Sequence, residues 1–189
     1  YYLAQIYYLE GDYKKTLSTA RNLLRRSGIE PSYIAEANRL AGESLYQTGD
    51  ASSAIPYLKK YVSAVDRPEA STLYILGVSQ YNQGEYRDAV ESLRPVSDLD
   101  DAMGQSASLY IGQALMKVGD KDAALLAFDK ALRMNFDSAV QEAAYYNYAV
   151  ARFSGANIPF GSSVATFEAF LSRYPRSRYA PEVQEYIVD

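Results

Sequence analysis

A short turn recurs along this chain and constrains what it can fold into. It reads Gly11-Asp12, Gly49-Asp50, Gly84-Glu85 and Gly119-Asp120, with a blurred fifth copy at Gly155, spaced 38, 35, 35 and 36 residues apart. A glycine followed by an acid suits the join between two helices. Glycine reaches the left-handed conformation just past a helix end, which other residues adopt only at a steric cost. The acid offers an oxygen to the unpaired N–H groups of the next helix and a negative charge to its positive end. Such a join every 35 or so residues predicts a solenoid of helical hairpins, each unit packing on its neighbours.

The apolar pattern between the turns agrees. Leu3, Ile6 and Tyr7 make one stripe before the first turn, and Leu17, Ala20, Leu23 and Leu24 make one after it. Pro31 is placed to open the next helix. The second hairpin runs from about Ser32 to Thr48 and Ala51 to Ala64, with Pro56 near the start of its second helix. The third runs from about Pro68 to Gln83 and Tyr86 to Val96, and Pro95 predicts a short or distorted second helix. The fourth covers Asp101 to Val118 and Lys121 to Met134, with Asn135 as a left-handed stop and Asp137 as the next cap. The fifth begins at Ser138 to Phe153. Its turn is replaced by Ser154 to Ser163, its second helix resumes near Ser162 and ends at Tyr174-Pro175, and a last helix starts near Tyr179. The chain begins and ends inside apolar-periodic runs, so it reads as a piece of a longer protein. The units fall at about 1–30, 31–66, 67–100, 101–136 and 137–176, with a partial one at 177–189, all in a single array.

Composition narrows function by exclusion. The 189 residues contain no Cys and no His. This removes thiolate chemistry, the commonest metal ligand and the commonest general acid–base group. A net charge of −4 argues against non-specific attraction to nucleic acid or an anionic membrane. No stretch approaches the ~18 apolar residues of a membrane span, and no signal peptide is visible. Tyrosine is the unusual residue, 19 of the 25 aromatics. Its apolar body and polar tip suit cores and interfaces alike.

Aligned on the turns, the units resemble tetratricopeptide (TPR) repeats. Unit four fits best, with Ile111-Gly112, Leu115, Gly119, Ala124, Phe128 and Ala131 at the family's positions. Unit three follows with Leu76-Gly77, Ala89 and Leu93, and unit two with Ala41-Gly42, Leu45, Gly49, Ala54, Leu58 and Tyr61. Unit one supplies Leu3-Ala4, Tyr7, Gly11, Thr16, Ala20 and Leu23. Unit five needs a short insertion before Ser163, Phe167, Phe170 and Pro175 fit. The family's Trp is absent throughout. The small residues stand where paired helices cross closely, and the large ones fill the gap to the next unit.

This resemblance implies an all-α fold, a right-handed α-α superhelix of about five helical hairpins plus a truncated final helix. It also implies a non-catalytic scaffold, without cofactor or metal, that holds a peptide or protein segment in a concave groove lined by the first helix of each unit. Carried over residue by residue, the groove positions are Tyr8, Arg39, Tyr46, Tyr74, Tyr81, Gln113, Lys117, Tyr145 and Arg152. Tyr and Arg dominate binding hot spots because they join contact area to a hydrogen-bonding tip. The same tyrosines also suit the space between hairpins, and both roles stay open. Arg39 and Glu43 stand where chaperone-cofactor repeats use Lys and Asn to clamp a carboxylate, so a chaperone C-terminal tail is not the expected partner. The C-terminal run TFEAFLSRYPRSRYAPEV is similar to repeats in bacterial envelope TPR proteins of the outer-membrane assembly and cell-division coordinator kind. It points to a periplasmic or outer-membrane-associated location. Two other functions remain open: a structural or assembly segment of an envelope protein, and glycan binding through the groove tyrosines. Asp98, Asp100 and Asp101 are open to a hard cation or to capping. Arg25-Arg26 read as charges complementing a helix end.

Overall fold

The computed structural model describes residues 1–154 and 160–188. Among them are eleven helices and no strand. Gly155, the fifth turn glycine, lies outside the described residues. Residues 1–96 and 97–189 form two compact units.

In the first unit, α1 (Tyr2–Leu9) and α2 (Tyr13–Leu24), α3 (Pro31–Gln47) and α4 (Ala51–Ala64), and α5 (Ala70–Asn82) and α6 (Tyr86–Ser97) are successive hairpins. The second unit holds α7 (Ala102–Val118) and α8 (Lys121–Arg133), α9 (Ser138–Phe153) and α10 (Phe160–Arg173), and the final α11 (Ala180–Val188). First helices lie side by side, α1 on α3 and α3 on α5 in one unit, α7 on α9 in the other.

The turns form as the sequence predicts. Gly11, Gly49, Gly84 and Gly119 have φ of 76°, 88°, 79° and 85°. The next residue closes each helix, its N–H reaching back to a carbonyl of the last turn: Asp12 to Tyr7, Asp50 to Leu45, Glu85 to Gln80 and Asp120 to Leu115. At three of these positions the same residue also opens the following helix. The Asp12, Asp50 and Asp120 carboxylates accept from the N–H of Lys15, Ser53 and Ala123 at 3.1, 3.1 and 3.2 Å. One acid therefore satisfies the end of one helix and the start of the next, which explains why the pair is read as a unit.

The second repeated device is a close helix crossing. A Cβ added at Gly42 would lie 2.5 Å from Leu58, at Gly77 2.4 Å from Leu93, and at Gly112 2.4 Å from Phe128. These three large residues are fully buried. Where the first hairpin carries Ala4 instead of glycine, the facing register position is the small Ala20, and both are buried. The first crossing therefore joins two small residues, where the other three join a glycine and a large one.

Two local expectations are corrected. Asn135 is not left-handed, because no residue other than glycine has positive φ among the described residues. Instead α8 ends at Arg133 with an extended Met134, and Asn135 accepts from the buried Gln141 amide at 2.6 Å. α6 ends at Ser97, two residues past Pro95, and its 12 residues are fewer than the 14, 13 and 14 of α4, α8 and α10. The missing N–H of Pro95 removes one helical bond, to the carbonyl four residues earlier, and little helix follows it to be redirected. Phe160 and Gly161, read as part of the inserted turn before a helix resuming near Ser162, are the first residues of α10. Asp137 caps α9 as expected, accepting from the N–H of Ala139 and Val140.

Gly77→Ala is expected to destabilise the protein by about 1–3 kcal/mol, because Leu93 has no space to yield. Gly161→Ala, with nothing within 4 Å of the added carbon, is the neutral control. Denaturant melts of the two variants read the difference directly.

Candidate functional site

In the first unit, the face shared by α1, α3 and α5 carries a charged and aromatic network. Its seed is local: Glu36, Arg39 and Glu43 stand three and four residues apart on α3, so one helix face holds all three. Arg39 donates to Glu36 through Nε at 2.9 Å and Nη2 at 2.8 Å, and through Nη1 to Glu43 at 3.2 Å. Glu69, the residue preceding α5, lies 4.0 Å from the same guanidinium. The Glu43 side chain is only 4% exposed. It receives the Thr72 hydroxyl of α5 at 2.6 Å, and the Tyr8 phenol of α1 lies close enough to interact with it. A buried carboxylate costs several kcal/mol unless it is paired and hydrogen-bonded. Here three helices supply those partners, and the network ties three first helices together.

The electrostatics follow from this burial. Desolvation, then the bond to Glu43, holds the Tyr8 phenol well above its ordinary value of 10.0. Burial alone would weaken the charge on Arg39, but the bond to Glu36 and the charges of Glu43, Glu36 and Glu69 outweigh it and keep the guanidinium firmly protonated.

The other predicted tyrosines of this unit are all half-buried. Tyr46 packs beside the core of Leu45, Ala54, Leu58 and Leu76. Tyr8 meets Tyr13 edge-on at 5.7 Å and Tyr81 meets Tyr86 in the same way at 5.5 Å. In both cases the rings straddle the glycine turn. A Tyr three residues before the glycine and another two after it is a sequence signal for this staple. Tyr74 is half-buried on α5.

In the second unit, Gln113 is half-buried and Lys117 exposed on α7. Arg152 ties α9 to α10, donating to the Tyr148 hydroxyl at 3.2 Å and to Ser162 at 2.7 Å, while its Nε is buried without a hydrogen-bond partner. Tyr145 faces α10, its ring 5.7 Å from Phe170 and 6.2 Å from Tyr174. The tyrosines of the C-terminal run join the same aromatic core. Tyr179 stacks on Tyr146 at 4.2 Å, and Tyr186 on Phe167 at 5.0 Å.

The acidic loop is occupied by structural duties. Asp101 caps α7 through the Gly104 N–H at 2.8 Å, and Asp98 pairs with Lys130 at 3.2 Å. Among the described residues no group of metal-ligating side chains could hold an ion, and no helix is long and apolar enough to cross a membrane. Sequence reasoning named Arg39 but missed Thr72, whose partner lies 29 residues away on another helix. No periodicity within a helix reports such a pair.

Comparison with known proteins agrees with this geometry. A tetratricopeptide repeat model matches residues 74–139. The solved structure of YrrB, described as a TPR protein with an unusual peptide-binding site, superposes with a TM-score of 0.77 at 18% identity, covering 96% of this chain and 88% of that one. MamA does so with a TM-score of 0.70 at 21% identity, covering 92% and 88%. A tetratricopeptide repeat protein from Parabacteroides merdae gives 0.68 at 17% identity, covering 95% and 67%. No curated protein matches the sequence. The chain has the all-α solenoid fold of TPR proteins, and the resemblance read from its repeats holds at the level of fold.

Arg39→Leu is expected to cost about 3–5 kcal/mol, because it strands the buried Glu43 charge. Arg39→Leu combined with Glu43→Leu should recover most of that loss in a denaturant melt. For Tyr8, the folded pKa lies above the unfolded one, so its contribution is complete below pH 10.0 and is lost as pH rises beyond it. Melting temperature should therefore fall less steeply above pH 10.0 in Tyr8→Phe than in the parent.

Proposed function

We propose that the protein is a non-catalytic interaction scaffold that holds a peptide or protein segment on the face formed by the first helices of residues 1–96. The observation that carries this reading is the state of that face in the first unit. Tyr8, Tyr46, Tyr74 and Tyr81 are each half-buried, so each is held by its neighbours while part of it remains accessible. Rings fixed in this way lose little freedom when a ligand covers them, which favours binding. In the second unit Gln113 and Lys117 on α7 belong to the same reading, whereas Tyr145 and Arg152 are engaged with the α10 side. Arg39 serves as the anchor beneath the face, holding Glu43 in place. The fold supports the same reading, since YrrB is described as having a peptide-binding site.

A second reading is favoured by one observation. On α1, Tyr2, Leu3, Ile6 and Leu9 are 67%, 52%, 50% and 79% exposed. An apolar face of this kind suits packing in an assembly, and the envelope placement implied by the C-terminal motif belongs to this reading. That motif has a packing explanation of its own, since Phe167, Phe170 and Tyr179 build the last core.

Selection of binding peptides against the whole chain, followed by titration, tests the first reading. Tyr46→Ala and Tyr81→Ala should each weaken the selected peptide by about tenfold, the effect of a hot-spot tyrosine. Unchanged affinity in both variants, with the fold intact by circular dichroism, would remove the tyrosine face as the site. Concentration-dependent self-association that Ile6→Ser abolishes would favour the assembly reading.

A further inference from the structure

The charges on the first-helix face of residues 1–96 are not equally accessible. Arg39, the cation at its centre, has a side chain only 12% exposed, and its donors are directed at Glu36 and Glu43. The acids around it are more open: Glu36 is 27% exposed and Glu69 55%. Three carboxylates face one guanidinium, so the network keeps an excess of negative charge, and that excess lies on the accessible side. Aromatic rings adjoin it. Tyr33 stands one turn before Glu36 on α3, and the Tyr1 ring stacks on it at 5.2 Å with 30° between planes. Tyr1 is close enough to Glu36, Arg39 and Glu69 to feel all three charges.

We propose that this face takes a cationic protein segment, with a lysine or arginine side chain lying against Glu36 and Glu69 and its stem along the rings of Tyr1 and Tyr33. Charge complementarity selects this occupant. An acidic segment would meet the exposed Glu69 carboxylate and the partly exposed Glu36 while Arg39 is already paired, and like-charge juxtaposition is strongly unfavourable. A cation gains both the carboxylates and the negative faces of the rings. The apolar stem of Lys or Arg suits the aromatic wall beside a polar rim. The chain shows this preference internally, with Arg21 over the Tyr57 ring and Lys15 over the Tyr7 ring. The inference rests on the first-helix face being the binding surface, and it names the partner's chemistry there.

The test is selection of a random peptide library on the whole chain, then titration of the most enriched peptide. Enriched sequences should be rich in Lys and Arg, and affinity should fall as salt rises. Glu36→Gln with Glu69→Gln should weaken the peptide by about tenfold, each exposed carboxylate accounting for a few-fold. Glu91→Gln, an exposed acid on α6, should leave it unchanged and controls for net charge. Should the double variant melt early, Glu69→Gln alone carries the test, since Glu69 is only at the edge of the network. Enrichment of acidic or neutral peptides that still require Tyr81 would overturn the cationic partner and leave the tyrosine face standing. Equal losses in Glu91→Gln and Glu69→Gln would overturn it as general charge attraction. Absence of any enriched peptide would overturn both the face and its partner.

Discussion

The structure depends on how closely two helices cross within a hairpin. At Gly42, Gly77 and Gly112 the first helix comes so near the second that Leu58, Leu93 and Phe128 occupy the space of the missing side chain. That contact fixes the distance between the helices and buries the largest apolar groups completely. Everything on the exposed side inherits this precision. The glycine–acid turn then fixes direction, because the acid closes one helix with its N–H and opens the next with its carboxylate.

From these two devices the arrangement of the first helices follows. Repeated hairpins place first helices next to first helices, so that Tyr8, Glu43 and Thr72, separated by tens of residues, meet at one carboxylate. A buried acid of this kind is a poor source of stability in general, but it has one geometry in which its cost is offset. It thereby sets the register of three helices. The tyrosines are divided between two tasks. Those straddling the turns brace the hairpin and leave an edge exposed, whereas Tyr146, Tyr179 and Tyr186 fill the last core.

Much of this was legible in the sequence because helical hairpins are governed by local rules. Left-handed glycine, the aspartate cap and the small residue at a crossing each act within a few residues or within one repeat. The misreadings have local causes too. Asn135 resembled a left-handed stop, but Gln141 offered its side chain a better partner.

The sequence by itself determined the repeat, the hairpins, the turn chemistry and the identity of the first helices, since each depends on short-range sterics and capping. Tertiary structure decided how the charged residues on those helices are used. Arg39 stands in the sequence as an available cation, yet neighbours on the same helix and at the start of α5 consume it. The accessible charge left at that place is negative. The physical reason is that the availability of a charge is set by burial and by partners across helices, and neither is encoded in the spacing of residues along one.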